Sequence, residues 1–399
     1  MTDKRTDSKG RILRNGEYQK ADGRYAFRYV DAKGKTRFVY SWTLTKNDKA
    51  PSRKKEGPSL RQLEKQIEHD LAFGISPEKM TVLELAERYT ATRQTVRKTT
   101  KWGYGTVLNF LRKDDFGARL IADVTTLEAR EWLVHLQRDC GKRFSSVHGI
   151  RGVLRPAFRL AEEDMLVKRN PFDFELMDVL VNDSVRRESV SVGDERRFLE
   201  FMRLDRHYSQ YHDAFLILFR TGLRVSELCG LTLDDIDFKR GSVRVDKQLQ
   251  RAGDGLRYIE RPKTRRGERY VPMGKEVADA FKRVIACREA PAVEPVVDGV
   301  SGFLFLDING MPCVAMHWEH RMSRAVAKYN RICREPLPKI TPHMCRHSFA
   351  TRMARNGMSP ARLKYIMGHA DIATTYNIYT HLGFEDVREE VLRIEREGC

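Results

Sequence analysis

Cysteine is scarce and unpatterned in this chain. The seven cysteines, Cys140, Cys229, Cys287, Cys313, Cys333, Cys345 and Cys399, are odd in number and scattered, and no C-x-x-C pair occurs. That argues against a disulfide framework and a cysteine zinc site, and it fits a reducing compartment. No apolar run approaches the roughly 18 residues that mark a membrane helix. The opening Met1-Thr2-Asp3-Lys4-Arg5 leads into no apolar core, so no signal peptide is expected. No Walker motif and no well-spaced acidic triad is present. The run Asp234-Asp235-Ile236-Asp237 lacks distant partners for a metal cage and reads as a turn after a helix. Internal repeats and low-complexity tracts are also missing.

What the chain has in excess is positive charge. Lys and Arg number 73 against 55 Asp and Glu, a net charge of +18. With 41% hydrophobic and 32% charged residues, the 399-residue chain reads as globular, long enough for two or three domains. A generally basic enzyme and a nucleic-acid binder both fit that balance, and the distribution of charge separates them. Residues 1–55 hold 16 Lys and Arg against 6 Asp and Glu. About +10 of the charge thus sits in a small fraction of the chain, which favours a dedicated DNA-binding module.

The patterning divides the chain. In residues 1–46, the turn signals Asn15-Gly16, Asp22-Gly23 and Lys33-Gly34-Lys35 separate alternating stretches, Arg24 to Val30 and Thr36 to Trp42. These predict a small three-stranded sheet, with Arg24, Arg28 and Arg37 on one face among aromatics. Pro51 to Pro58 reads as a linker, and Ser59-x-x-Gln62 opens a helix running to Gly74. Thr81-x-x-Glu84 and Thr125-x-x-Glu128 are capping boxes. Further helices are expected near Trp102–Arg112 and Ser146–Glu163, giving a four-helix bundle rich in Lys and Arg, including Arg93, Arg97, Lys98, Lys101, Lys142, Arg143, Arg151 and Arg155. Residues 173–190 resemble a second linker. From Ser191 onward the chain is mostly helical, with a strand-rich patch between Ser242 and Val271. The fold class is therefore multidomain: a small N-terminal three-stranded β module, an all-α helical bundle, and a mainly α third domain with a small antiparallel β-sheet. The expected boundaries are 1–58, a connecting helix 59–78, the bundle 79–175, a linker 176–190, and 191–399.

The third section gathers phosphate-binding and proton-transfer residue types. Arg224 follows Thr221-Gly222-Leu223 at a helix start, where a guanidinium can bind two oxygens of one phosphate. Glu227, three residues on, is placed to fix its rotamer. Lys263 is expected near the tip of a hairpin, where a mobile ammonium can donate a proton. His343 and Arg346 share a helix face, a pairing that suits phosphoryl chemistry. The His343/His347 pair lacks the Glu of a zinc motif, so no metal and no cofactor is expected. Ser359-Pro360 starts a short helix ending at Gly368, after which His369 can reach a cleft. Asp371 caps a helix carrying Tyr376 and Tyr379, phenols that need activation to be nucleophiles. Singly, each signal also fits a surface ion pair, a loop cation or a core side chain.

In order and spacing, Arg224 with Glu227, Lys263, His343-x-x-Arg346, Gly368-His369 and Tyr379-Thr380-His381 resemble the tyrosine recombinase (phage integrase) family. The basic sheet module, the helical bundle and the segment Asn170-Pro171-Phe172-Asp173-Phe174 extend the resemblance to integrases of conjugative transposons of Gram-positive bacteria. It implies a clamp by Arg224 and Arg346 on the scissile phosphate, Lys263 as general acid, His343 assisting proton transfer, His369 bonding the phosphate, and Tyr379 attacking. Tyr376 is a rival one turn earlier, and His347-Ser348 stands where His-Thr is frequent. It further implies integration and excision of a mobile element through a 3′-phosphotyrosyl intermediate and a Holliday junction. The implied partners are double-stranded DNA at core-type and arm-type sites, four protomers on DNA, an excisionase, a host DNA-bending protein, and no membrane. Such a protein works in the bacterial cytoplasm, on the nucleoid when active. In such proteins the amphipathic stretch 384–396 often docks on a neighbouring protomer. A chromosome-dimer resolvase, a type IB topoisomerase and a non-catalytic DNA-binding regulator are the alternatives.

Overall fold

The computed structural model describes residues 5–30, 35–51, 57–72, 79–183, 189–253, 255–262, 268–369 and 371–379, with Arg388, Leu392 and Glu395. The chain forms two compact units, Met1–Val185 and Arg186–Cys399.

The first unit opens with strands β1 (Glu17–Gln19), β2 (Tyr25–Val30) and β3 (Thr36–Ser41), an antiparallel sheet in sequence order. Helix α1 (Leu60–Ala72) packs on β2 and β3 and closes a small core of Leu13, Tyr25, Leu44 and Leu60. Ser59 starts α1 by pairing with the Gln62 side chain. The predicted turn at Lys33-Gly34 and the predicted helix end at Gly74 lie outside the described residues.

The register corrects one expectation. Arg28 pairs across the sheet with Phe38, whereas Arg37 pairs with Tyr29. Because side chains alternate with period two, Arg28 and Arg37 stand on opposite faces. Arg24 and Arg28 share their face with Tyr18, Phe38 and Tyr40, and Phe38 and Tyr40 remain exposed. The guanidinium of Arg24 lies over the rings of Tyr40 and Trp42, and the Lys20 ammonium lies 4.4 Å from the Tyr40 centroid.

The bundle comprises α2 (Val82–Thr92), α3 (Lys98–Leu111), α4 (Thr126–Arg138) and α5 (Phe144–Glu163). Both predicted capping boxes form, at Thr81/Glu84 and Thr125/Glu128. Trp132 stacks on Phe116 with centroids 4.0 Å apart, and Phe172 meets both edge-on. The first part of the expected linker, 173–190, is built into this bundle rather than left as a connection. Phe172, Phe174, Leu176 and Leu180 belong to the bundle core. Arg151 is buried rather than presented on a basic surface, and it donates to the carbonyls of Phe172 and Phe174. Arg155 pairs with Asp173. Lys98, Lys101 and Arg143 stay exposed at the starts of α3 and α5, and Trp102, next to Lys101 in the chain, is 70% exposed.

The second unit runs α6 (Val192–Leu204), α7 (His212–Thr221), α8 (Val225–Gly230), β4 (Ile236–Asp237), β5 (Ser242–Val245), β6 (Gln248–Arg251), β7 (Arg257–Glu260), β8 (Arg269–Pro272), α9 (Lys275–Ala286), α10 (Ala315–Ile332), α11 (Pro342–Arg355), α12 (Pro360–Met367) and α13 (Ile372–Tyr379). Helix α7 is the central pillar: Ala214 to Phe219 are all buried, packed between α9 and α11. The strands form a three-stranded sheet, β4-β5-β8, and a separate ribbon, β6-β7. The expected small antiparallel sheet is present as these two pieces. Strands β7 and β8, which flank the connection bearing Lys263, pair in different sheets. Lys263 itself lies outside the described residues. So does the amphipathic stretch 384–396, apart from Arg388, Leu392 and Glu395. Asp235 caps its turn through Thr232 and binds Lys247 and Arg244, so its charge serves structure. No described helix is long and apolar enough to cross a membrane.

Candidate active site

Two glycines shape the pocket. Helix α7 ends at Gly222 in the left-handed conformation, φ 65°. A Cβ there would stand 2.4 Å from the Phe349 ring, so glycine lets α11 close against the turn. Two residues later Arg224 becomes the N-cap of α8. Helix α12 likewise ends at Gly368, φ 61°, where a Cβ would press on the Arg269 guanidinium. The first turn delivers Arg224 to the pocket and the second delivers His369.

Glu227 is the hub. Its carboxylate takes two hydrogen bonds from Arg269, of 3.0 and 2.8 Å, and one from Arg224, of 2.8 Å. It also accepts the Arg224 backbone N–H, and Arg346 stands 3.9 Å away. Burial alone would raise the Glu227 pKa, but Arg269, then Arg224 and Arg346, hold it at about 2. It is therefore a permanent anion among three cations.

Arg346, on α11, is buried and aimed by backbone carbonyls: it donates to Gly222 at 2.7 Å and to Met367. Burial, then the charge of Arg224, lowers its pKa from the ordinary arginine value, yet a guanidinium stays cationic at neutral pH. Arg224 also reaches the Gly368 carbonyl, at 3.2 Å. Both guanidiniums thus converge on the short segment that leads into His369. His369 is neutral, its pKa pushed down to about 4 by burial and then by Arg346 and Arg224. Its Nδ1 lies 3.0 Å from the Thr375 hydroxyl.

The remaining predicted residues sit differently. His343 is exposed on the first turn of α11, whose N-cap is Thr341. Ser348 accepts the Val190 N–H at 2.8 Å, which ties the start of this unit to α11. Asp371 accepts from Ala373 N–H at the start of α13, and Tyr379 ends that helix. The Tyr379 hydroxyl donates to the Met358 carbonyl, and burial, then Tyr376, raises its pKa. Among the described residues no hydrogen bond joins Tyr379 to the arginine cluster. Tyr376 is 51% exposed. Among the described residues no group of His, Cys, Asp or Glu could hold a metal ion.

Reading the residues alone missed Arg269 and Thr375. Arg269 has a faint signal: in β8 it shares the inward parity of Val271, while Tyr270 and Pro272 point outward. An arginine at a core-facing strand position needs a buried anion.

Known proteins are similar to this chain over most or all of its length. The model of the Phage integrase family matches residues 190–386, and the model described as the DNA binding domain of tn916 integrase matches residues 1–71. The chain is 42% identical over 400 residues to the transposase from transposon Tn1545 of Streptococcus agalactiae serotype V, covering 100% of this chain and 98% of the relative. It is 41% identical to the transposase from transposon Tn916 of Enterococcus faecalis, with the same coverage of both chains. The solved structure of the Tn1549 transposon integrase with a circular intermediate DNA matches at a TM-score of 0.75 and 39% identity, covering 79% of this chain and 99% of that one.

Proposed function

The chain belongs to the phage integrase family of tyrosine recombinases, enzymes that cut and rejoin DNA, and to its Tn916 group, and from this we propose that it integrates and excises a conjugative transposon with Tyr379 as the nucleophile. The Tyr379 oxygen attacks the scissile phosphorus and forms a 3′-phosphotyrosyl bond, while the 5′ oxygen leaves with a proton from Lys263. His343 assists removal of the phenolic proton. A 5′ hydroxyl of the partner duplex reverses the step. Two such rounds pass through a Holliday junction in a tetramer. The covalent bond conserves the energy of the cut strand, so the reaction needs no ATP.

What carries this reading is the convergence of Arg224, Arg346 and neutral His369 around the carbonyls of Gly222, Met367 and Gly368. Two guanidiniums fixed by carbonyls and a carboxylate form a pre-set cradle for the charge of a pentavalent phosphorane. Preorganised donors of this kind are each worth on the order of 10²–10³ in rate. Residues 191–399 act as the catalytic domain, and Glu227 supports Arg224. Residues 79–175 grip core-type DNA through Lys98, Lys101 and Arg143, and residues 1–58 read arm-type DNA through the basic aromatic sheet. The connections 59–78 and 176–190 join them. An excisionase and a host DNA-bending protein are proposed partners, and the bacterial cytoplasm is the site of action.

The test is Tyr379→Phe on a nicked substrate carrying the element's ends. Cleavage is expected to vanish with DNA affinity nearly intact, because one hydroxyl contributes little to binding. Mass spectrometry of the wild-type adduct should place the phosphate on Tyr379. An adduct on Tyr376, or normal adduct formation by the variant, rejects the assignment.

A further inference from the structure

We propose that Thr375 is a positioning residue: its hydroxyl fixes the tautomer of His369, so that Nε2 carries the proton offered to the DNA phosphate. The proposal rests on the role given to His369 above and adds the group that makes that role possible.

The geometry is specific. Asp371 caps α13 and sets its register, which turns Thr375 inward with no exposed surface. Its Oγ1 lies 3.0 Å from Nδ1 of His369. Among the described residues the hydroxyl has no other hydrogen bond. Two arrangements are possible. If the threonine donates, Nδ1 accepts and the ring proton must sit on Nε2. If Nδ1–H donates instead, the hydroxyl hydrogen is buried without an acceptor, which leaves a hydrogen bond unmade. Only the first satisfies both groups.

The choice matters because the ring is neutral. Burial, and then the charges of Arg346, Arg224 and Arg269, oppose its protonation. An imidazolium would present a donor from either nitrogen, but a neutral ring presents a donor from one alone. In the wrong tautomer, Nε2 would turn a lone pair toward phosphate oxygens. A carboxylate or carbonyl fixes a histidine by accepting from Nδ1–H; the buried threonine, by donating to Nδ1, fixes the opposite tautomer of His369.

Single-turnover cleavage by the full chain tests this with Thr375→Val, Thr375→Ser and His369→Ala. Valine keeps the shape and removes the hydroxyl, and is expected to slow cleavage at least about ten-fold with DNA affinity unchanged. Serine restores the donor and should recover the rate to within about two-fold. Long-range ¹⁵N–¹H spectra of histidine-labelled wild-type protein supply a readout that needs no variant. The expected signature of His369 is protonation at Nε2, replaced by a mixture in Thr375→Val. A wild-type ring protonated at Nδ1 overturns the proposal. If His369→Ala cleaves normally, the role of His369 fails and this proposal with it. If His369→Ala is slow but Thr375→Val cleaves normally with an unchanged tautomer, this proposal alone falls.

Discussion

Glu227 keeps a full negative charge with 2% of its side chain exposed, and three guanidiniums share it. Removing that charge strands buried Arg269 and Arg346 without a counter-ion, so Glu227→Gln should destabilise the second unit by about 3 kcal/mol at pH 7. The pH dependence has a definite sign. The folded pKa, about 2, lies below the ordinary 4.5. The contribution is therefore fully present above pH 4.5 and is lost as pH falls toward 2. Urea unfolding of both proteins should show a gap at pH 7 that closes on acidification, and a gap independent of pH would refute the charge argument. Much of this site can be picked from sequence, because its parts carry local markers. Gly222 precedes Arg224, Gly368 precedes His369, and His343 and Arg346 share one helix. Arg269 cannot be picked that way. Beside Arg261, Arg265 and Arg266 it is one basic residue among several, and its partner is 42 residues away in sequence.

Elements were legible wherever their determinants are local. The capping boxes of α2 and α4, the Ser59 start of α1 and the Pro360 start of α12 are each decided within four residues. What failed depends on pairing at a distance. Register sends Arg28 and Arg37 to opposite faces, and residues 173–180, expected as part of a linker, pack on the bundle because Arg151 holds the Phe174 carbonyl and Leu176 and Leu180 join the core. The seam between β1 and α1 gives an element-scale prediction. Glu17 on β1 holds Arg61 through both oxygens, while Glu64 on α1 faces it with, among the described residues, Arg14 alone as a direct cation, 3.7 Å off. Burial and then Glu17 push the Glu64 pKa up to about 8, so the folded seam prefers it protonated. Relative to the unfolded chain this favours folding below about pH 4.5 and is lost as pH rises through 8. Glu64→Gln mimics the protonated form and should stabilise the module above pH 7, by about 1–3 kcal/mol at pH 8. Hydrogen exchange of α1 and β1 amides, corrected for intrinsic rates, reads this. Wild-type protection should drop from pH 6 to pH 8 while the variant holds, and parallel profiles sink the idea.

For the molecule as a whole, the telling quantity is where charge sits relative to chemistry. Residues 1–55 carry 16 Lys and Arg against 6 Asp and Glu, yet the candidate active site lies entirely beyond residue 220. A surplus so far along the chain from the chemistry is useful only if it binds DNA on its own account. The sheet offers the means: Lys20, Arg24 and Arg28 on one face, with exposed Phe38 and Tyr40 beside them. Cations over aromatic rings keep their charge while lying along the sheet, and each phosphate they neutralise releases a counter-ion. Deleting residues 1–79 removes the sheet together with α1, whose apolar side would otherwise be stripped of its cover. The truncated protein should still cleave core-type ends while losing arm-type affinity. On DNA carrying both site types, the slope of log affinity against log salt should fall by about 3, roughly one per lost phosphate contact. Filter binding from 50 to 300 mM salt, about the range in which such slopes are linear, measures it. An unchanged slope with intact arm-site footprints would place the arm-binding surface elsewhere in the chain. A truncated protein that loses core cleavage as well would show that the two DNA contacts are not separable.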